Sequence, residues 1–283
     1  MIVDFHTHIF PDKIAASTIK TLSNKSHSTP FTDGTLNGLM NSMKNFGVDV
    51  SIILPVATKP AQVIKINDNA AQINEKFSSD GIISFAAIHP DFENFRAELS
   101  RVKSLGFKGI KIHPVYQDTD LDDKKFLRIF DRAAELDLIV VTHAGLDIGF
   151  PNVIRCTPKM SRHVVEEIGD FKFVLAHMGG WKCWNEVLIE LAGVNVYVDT
   201  AFSIGFIPAK NNFYTPAQAK MLDVESFMKL YKVFGADKIF FGTDSPWDSQ
   251  DKNIDFIKNL PIDDADKNKI LGLNAAKLLS LNH

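Results

Sequence analysis

Short runs of apolar and β-branched residues recur along the chain, and a longer segment with helical spacing follows each run. The runs begin near Ile2, Val48, Ile82, Lys108, Leu138, Phe171, Val194 and Lys238. Two of the segments between them, residues 34–43 and 125–136, carry apolar side chains at positions i, i+3 and i+4, the spacing of an amphipathic helix. A strand followed by a helix, repeated in this way, predicts a parallel β-sheet.

Eight strand–helix units suit one closed architecture of the α/β class. A single (β/α)8 TIM barrel needs about 250 residues, and the chain has 283 residues without a linker-like or low-complexity segment. We therefore expect one domain over residues 1–283, with the active site at the C-terminal ends of the strands. An open doubly wound sheet is the competing fold, but no Gly-x-Gly-x-x-Gly sequence follows the first strand. The longest connections, residues 9–47 and 201–237, are expected to cover the barrel mouth.

Residues of metal-binding type occupy the ends of four predicted strands. His6 and His8 follow the first apolar run, and because side chains alternate along a strand, both leave it on the same side. His143 ends the fifth strand, His177 the sixth and Asp244 the eighth. A hydrogen-bonded structural role explains any one of these residues, but it does not explain the whole set. Since a catalytic metal site takes about three protein ligands and an open position, the pattern predicts a divalent-metal centre.

The fourth strand carries two further polar residues, Lys111 and His113, which share one face. A lysine inside a barrel is costly unless it is paired or modified. Three interpretations stay open: an ion-paired structural lysine, a lysine that contacts an anionic substrate, and a carboxylated lysine that bridges two metal ions. His113 is a candidate substrate contact or a support for the metal ligands.

Composition and charge narrow the expected partners. A formal net charge of −3 and a pI near 6.3 give no basic surface for nucleic acid or anionic lipid. No apolar run reaches the roughly 18 residues of a membrane span, and no secretory leader is recognised before the first strand. The two cysteines, Cys156 and Cys183, form no Cys-x-x-Cys motif. We expect a cytoplasmic protein with a small-molecule substrate, and neither nucleic acid nor membrane as a partner.

Five motifs together resemble the amidohydrolase superfamily. They are Asp-Phe-His-Thr-His-Ile-Phe-Pro at residues 4–11, Gly-Ile-Lys-Ile-His-Pro at 109–114, Ala-His-Met-Gly-Gly at 176–180, Gly-Thr-Asp-Ser-Pro-Trp at 242–247 and Ile-Leu-Gly-Leu-Asn-Ala at 270–275. They span nearly the whole chain, and their combination is specific although each motif is short. The most similar branch includes aminocarboxymuconate-semialdehyde decarboxylase and related TIM-barrel metal-dependent hydrolases.

The resemblance implies roles for the residues at the strand ends. The implied ligands of one divalent metal ion, expected to be zinc, are His6, His8, His143 and Asp244. His177 would ligate a second metal ion or hold the reactive water. Lys111 resembles the carboxylated lysine of dihydroorotase-like members, which would allow a second ion, whereas members of the most similar branch generally use one metal and no carbamate.

A metal-activated water is the expected source of the chemistry. A divalent cation lowers the pKa of its bound water from about 15.7 to about 7. The expected catalytic residues are Asp244, which takes a proton from this water, and His177, which steadies the oxyanion or orients the nucleophile. We therefore predict a metal-dependent hydrolase that acts on a small substrate bearing a carboxylate.

Substrate contacts are expected just past the strand ends. Lys111 or Arg155 is a candidate to hold a substrate carboxylate, and His113 lies beside Lys111 on the same strand face. The aromatic candidates for substrate specificity are Tyr116, Trp181, Phe202 and Trp247. Core packing is the alternative for each aromatic residue, because 22 phenylalanines already indicate an aromatic-rich core.

Three other functions stay open at this point. Nonoxidative decarboxylation of the aminocarboxymuconate-semialdehyde type would use the same residues. A TatD-like phosphoesterase or nuclease also begins with a histidine pair, but usually carries a glutamate late in strand four, where this chain has Lys111 and His113. A non-catalytic barrel would be expected to lack some ligands, and here the set is complete. Since relatives are often dimers, a homodimer is the expected assembly.

Overall fold

The computed structural model of the chain describes residues 1–281. The last two residues of the predicted domain range, 282–283, lie outside the described part. The chain divides into two compact units, one made of residues 1–53 and the segment from Asp199 onward, the other of residues 54–198. The single domain over 1–283 stays a prediction. Among residues 1–281, each helix is too short or too polar to span a bilayer.

The first unit combines the N-terminal and C-terminal parts of the chain. Its strands are β1 (Val3–Thr7), β2 (Val50–Ile53) and β9 (Ile239–Phe240). Its helices are α1 (Asp12–Ser26), α2 (Leu36–Phe46), α8 (Pro216–Ala219), α9 (Val224–Phe234), α10 (Gln250–Lys258), α11 (Asp264–Asn268) and α12 (Asn274–Leu279). A π-helical turn, Lys269–Leu273, joins α11 to α12.

Strand β1 is flanked on both edges in this unit. It pairs in parallel with β2 on one edge. On the other edge, the Phe5 N–H donates to the Phe241 carbonyl at 2.8 Å, and the Asp244 N–H donates to the His6 carbonyl at 2.8 Å. All five residues of β1 are buried. The end of β1 therefore lies beside the segment that follows β9, so that their polar side chains meet.

The second unit is a run of parallel strands with helices between them. Its strands are β3 (Ile82–Ser84), β4 (Ala86–Ala87), β5 (Gly109–Ile112), β6 (Ile139–Thr142), β7 (Phe173–Leu175) and β8 (Tyr197–Asp199), of which the last residue belongs to the first unit. Its helices are α3 (Val63–Phe77), α4 (Phe95–Ser104), α5 (Lys124–Glu135), α6 (Pro158–Ile168) and α7 (Trp184–Glu190). From β4 to β8, each strand pairs in parallel with the next. The carboxyl ends of these strands thus lie along one edge.

Both helices predicted from apolar spacing are confirmed, with small shifts at their ends. The segment 125–136 forms α5, which begins after Asp123, whose side chain accepts the Lys125 N–H as an N-cap. The segment 34–43 forms α2, which begins after Thr35 and ends at the left-handed Gly47. The apolar face of α5 is buried and consists of Phe126, Ile129, Phe130 and Ala133.

Some strands are shorter than their apolar runs predict. The third run is interrupted at Phe85 and gives two short strands, β3 and β4. The seventh run begins near Val194, but the Val196 N–H donates to the Val194 carbonyl at 3.0 Å. Such a tight turn uses backbone N–H and C=O groups that would otherwise form hydrogen bonds to a neighbouring strand. Strand pairing therefore starts only at Tyr197.

The turn after β6 depends on one glycine, Gly145, which has a φ of +84°. A Cβ at this position would collide with the backbone of Gly180 and Trp181. We expect Gly145→Ala to lower the free energy of unfolding by about 3 kcal/mol, because left-handed strain and overpacking add. Gly193→Ala is the matched control, since its φ is +75° but no atom lies within 4 Å of the added Cβ. Unfolding in urea should show that this control lowers the free energy of unfolding by about 1 kcal/mol. Equal decreases in both variants would contradict the packing argument.

Candidate active site

The end of β1 and the segment after β9 bring three predicted ligands together. Nε2 of His6 lies 3.2 Å from Nε2 of His8 and 3.3 Å from Oδ1 of Asp244. Nε2 of His8 lies 3.0 Å from the same carboxylate oxygen. The His6 side chain is buried, whereas those of His8 and Asp244 are 18% and 14% exposed. The cluster is therefore partly exposed to solvent.

These separations suit one divalent metal ion bound by His6, His8 and Asp244. Bonds of about 2.1 Å, set about 90° to 110° apart, place ligand atoms about 3.0 to 3.4 Å from one another. The three observed distances, 3.2, 3.3 and 3.0 Å, fall in this range. Two imidazole nitrogens and a carboxylate oxygen are ligands that zinc, manganese and iron accept. The donor set is therefore chemically suited to a divalent cation.

A buried carboxylate, Asp199, orients the first ligand. Its Oδ2 lies 2.8 Å from Nδ1 of His6, and neither side chain is more than 1% exposed. Because an ionised carboxylate only accepts hydrogen bonds, Nδ1 of His6 carries the proton and Nε2 keeps its lone pair. This lone pair faces His8 and Asp244, which is the carboxylate–histidine–metal arrangement common in metal sites.

The contact between Asp199 and His6 gives a test of the metal centre. We expect Asp199→Asn to weaken divalent-metal binding about 10- to 100-fold, because an amide no longer selects the ligating tautomer of His6. Competition with a chromophoric chelator measures this dissociation constant. The exposed Asp237, changed to Asn, is the control and should leave the constant unaltered. Tight metal binding in Asp199→Asn would show that Asp199 does not position the ligand.

A second buried carboxylate, Asp4, ties β1 to the segment that carries Asp244. Its two oxygens accept the Thr243 N–H at 3.0 Å, the Thr243 hydroxyl at 2.7 Å and the Gln250 side-chain N–H at 2.9 Å. Burial raises the pKa of Asp4 to about 6, and these hydrogen bonds oppose that rise. The network holds the backbone before Asp244 against the strand that carries the histidines.

The ends of β5, β6 and β7 assemble a second cluster, in the other unit. Nδ1 of His143 lies 3.0 Å from Nε2 of His177, and the His143 ring stacks on His113 with centroids 4.2 Å apart. Nε2 of His113 lies 3.3 Å from Oδ2 of Asp147. Ligand atoms of His113, His143 and Asp147 lie within 4.8 Å of one another. This unit thus groups imidazoles around one carboxylate.

His143 has the properties of a metal ligand. Its Nε2 is buried and has no hydrogen-bond partner among residues 1–281. Burial lowers the pKa of His143 well below its usual value, the neighbouring His113 and His177 lower it further, and Asp147 opposes the change. The ring is therefore neutral near pH 7, and a neutral imidazole is the form that binds metals. The predicted ligands thus fall into two groups: His6, His8 and Asp244 in the first unit, and His143 in the second, where its ligand role stays a prediction.

The predicted substrate contacts of the second unit have different surroundings. Lys111 is only 1% exposed, within β5. The Tyr116 ring meets the edge of His113, with centroids 4.3 Å apart. Arg155, in contrast, forms ion pairs with Asp120 at 2.9 Å and with Asp118. A substrate carboxylate would have to displace one of these partners, and the substrate role of Arg155 stays a prediction.

The aromatic candidates lie close to the strand ends. The Trp247 N–H donates to the Asp244 carbonyl at 2.9 Å, which places this half-buried residue in the turn after the ligand. The Trp181 N–H donates to the Ala144 carbonyl at 2.8 Å, directly after β6. Trp181 and Phe202 are both buried, so the core-packing alternative stays open for them.

Sequence reasoning missed Asp147 and Asp199. Asp199 ends an apolar strand, the signal that singled out His143 and His177, and the same rule would have found it. Asp147 lies in a loop four residues after His143, where no periodicity applies. Only folding brings Asp147 close to His113, with Oδ2 of Asp147 3.3 Å from Nε2 of His113.

Comparison with solved structures shows the fold. An uncharacterised TIM-barrel protein from Bordetella bronchiseptica gives a TM-score of 0.73 at 16% identity, with 99% of this chain and 98% of that chain covered. 2,6-Dihydroxybenzoate decarboxylase from Rhizobium gives 0.67 at 17% identity, with 100% and 99% covered. A dihydroxybenzoic acid decarboxylase from Polaromonas sp. JS666, with bound manganese, gives 0.69 at 17% identity, with 100% and 97% covered. The fold is therefore the predicted (β/α)8 TIM barrel.

Comparison with curated proteins gives no match. The family model described as amidohydrolase, however, matches residues 3–281. This match covers all five motifs and both residue clusters, and it confirms the resemblance read from the sequence. The chain therefore belongs to the amidohydrolase family and is an enzyme of the hydrolase or decarboxylase type.

Proposed function

We propose that this enzyme is a metal-dependent, nonoxidative decarboxylase of a small aromatic or unsaturated acid. The observation that carries the proposal is the convergence of His6, His8 and Asp244, whose donor atoms lie 3.0 to 3.3 Å apart. The decarboxylases among the similar structures support this choice over hydrolysis, which was the first expectation from the sequence.

In this proposal each ligand has a separate task. His6, His8 and Asp244 hold one divalent ion, and His143 supplies a further ligand, as the family resemblance implies. The bound cation would supply positive charge that stabilises the negative charge developing on the substrate. Asp199 keeps Nε2 of His6 available for the ion throughout.

Asp244 is the residue that we assign to proton transfer. In decarboxylation the bond between the carboxylate carbon and its neighbour breaks, carbon dioxide leaves, and a proton is delivered to the carbon that keeps the electron pair. Asp244 has a partly exposed carboxylate within the metal cluster, so it is suited to hold that proton and to release it. His177 is assigned to orienting an oxygen of the substrate through its imidazole.

The polar cluster of the second unit supports an acidic substrate. It contains three imidazoles and the Asp147 carboxylate, and the buried Lys111 acts electrostatically on His143. Buried positive or hydrogen-bonding groups attract an anion more strongly than exposed ones do, because water screens them less. We assign Lys111 and His113 to substrate binding, with Tyr116 as the aromatic contact.

Hydrolysis of an amide or lactone is the second candidate, because the amidohydrolase family match is compatible with it. The metal cluster of His6, His8 and Asp244 would then serve to activate water, with Asp244 as the base. Incubating the metal-replete enzyme with hydroxybenzoates and unsaturated dicarboxylates, and measuring carbon dioxide release, separates the two candidates. We expect release that a chelator abolishes. Turnover of lactones or amides without any carbon dioxide release from the acids would overturn the proposal.

Metal identity, assembly and location complete the proposal. We retain zinc as the expected metal, although the donor set suits manganese equally well, and elemental analysis of protein purified without chelators distinguishes them. One metal ion is expected, and a second requires carboxylation of Lys111. We also propose a cytoplasmic homodimer that acts on a small molecule, with no nucleic acid or membrane partner.

A further inference from the structure

A cavity of about 410 Å³ in the first unit lies outside the metal cluster. One wall is the segment 204–208, which backbone hydrogen bonds from Gly205 to Leu222 and from Ile207 to Ala219 hold in place. The rest of the lining comes from Phe31, from Asp248 and from α10, which contributes Lys252, Asn253 and Phe256. Because backbone hydrogen bonds fix one lining segment and a helix supplies another, the cavity is part of the folded backbone.

The buried end of the cavity presents acceptors. Asn253 lines the cavity and is 3% exposed, and its side-chain oxygen has no hydrogen-bond partner within residues 1–281. Asp248 lines the same cavity and is 7% exposed. Asp248 accepts the Ser249 N–H at 2.7 Å. Burial raises the pKa of Asp248 to about 6, and hydrogen bonds from the Asn253 side chain and the Ser249 backbone oppose that rise, so the carboxyl group is largely ionised at pH 7. A buried acceptor without a donor is costly, and a desolvated carboxylate favours a cation.

The outer end of the cavity has the opposite character. Phe206 and Phe31 are 63% and 40% exposed at this end, so a ligand would bury apolar surface that the free protein leaves in water. The ammonium group of Lys252, an exposed residue, lies 4.7 Å from the centre of the Phe31 ring. An anionic group at the outer end would meet this ammonium, whereas at the buried end it would meet Asp248.

We propose that this cavity binds a small aromatic zwitterion, with a protonated amine at Asn253 and Asp248 and a carboxylate at Lys252. The ammonium group supplies a donor to the side-chain oxygen of Asn253 and a positive charge beside the Asp248 carboxylate. The aromatic body of the ligand packs against Phe31 and Phe206. Charge complementarity fixes the orientation, because the reversed ligand would pair like charges at both ends. This site does not depend on the proposed decarboxylation, since none of its residues is a ligand of the metal cluster.

Isothermal titration calorimetry with three matched probes tests the proposal. 4-(Aminomethyl)benzoate carries both charges, 4-methylbenzoate lacks the amine, and benzylamine lacks the carboxylate. We expect 4-methylbenzoate to bind at least about tenfold more weakly than the zwitterion, because the Asn253 oxygen loses its donor and the Asp248 carboxylate loses its opposite charge. Benzylamine should bind about three- to fivefold more weakly, since the ion pair at Lys252 is exposed. Equal affinities for the zwitterion and 4-methylbenzoate would overturn the proposal.

Substitutions of residues that line the cavity test whether the probes bind there. Asp248→Asn and Asn253→Leu should each weaken the zwitterion about tenfold and leave 4-methylbenzoate unaffected, while Asp255→Asn, on the exposed face of α10, should change neither. Lys252→Met, at an exposed position, should weaken the zwitterion but not benzylamine, which keeps the test valid if Asn253→Leu does not fold. A carboxylate probe can also bind at the metal cluster. Binding that is lost in His8→Ala but unchanged in Asp248→Asn and Lys252→Met would overturn the cavity site.

Discussion

Replacing Asp244 by asparagine should lower kcat about 1000-fold or more while the enzyme remains folded. The substitution keeps the size of the side chain but removes both a charged ligand oxygen and the group assigned to carry the proton, and general acid–base catalysis alone contributes about 10²- to 10⁴-fold. Carbon dioxide release by metal-replete enzyme measures the loss. Circular dichroism, with unfolding in urea, checks that the structure is intact.

The control for this prediction is Asp255→Asn, an exposed aspartate on α10. It changes the net charge by the same amount without touching the metal cluster, so wild-type turnover is expected. If Asp244→Asn held its metal and kept near wild-type turnover, Asp244 would not be the proton carrier. If activity fell only because metal was lost, excess metal should restore it, and the ligand role alone would remain.

Replacing His8 by alanine should weaken divalent-metal binding by more than about 100-fold. Loss of a residue that merely orients a ligand already costs about 10- to 100-fold, and His8 contributes a ligand atom 3.0 Å from Asp244 and 3.2 Å from His6. His8 suits this test better than the buried His6, because its side chain is partly exposed and its removal disturbs the core less.

Metal content by mass spectrometry and the visible spectrum of the cobalt-substituted enzyme report this loss without any substrate. We expect His8→Ala to retain far less than one ion per chain, and its cobalt spectrum to lose the bands of a nitrogen-ligated site. His163→Ala, at an exposed helix position, should bind metal like the unaltered enzyme. Stoichiometric metal with an unchanged dissociation constant in His8→Ala would rule out the proposed centre, whatever reaction the enzyme catalyses.

Local periodicity explains how much of this enzyme was predictable. Strands need alternating or continuous apolar residues, and helices need apolar residues that recur about every 3.6 positions. Both patterns depend only on residues that are neighbours along the chain. The parallel sheet, helices α2 and α5, and the presence of polar residues at strand ends followed from these patterns. Since parallel strands place their carboxyl ends on one side, the proximity of His143 and His177, which end neighbouring strands, was also predictable.

The remaining features depend on contacts between segments that no local pattern relates. Asp199 lies 193 residues from the histidine that it orients, and Asp4 reaches Thr243 across 239 residues. Arg155, a predicted anion-binding residue, has Asp118 and Asp120 as ion-pair partners that no local pattern indicated. The sequence by itself therefore determined which residues end the strands, because strand and helix periods are local properties. Only the tertiary structure decided which partner each polar side chain meets, because burial forces hydrogen bonds and ion pairs to form between whatever groups the fold brings together.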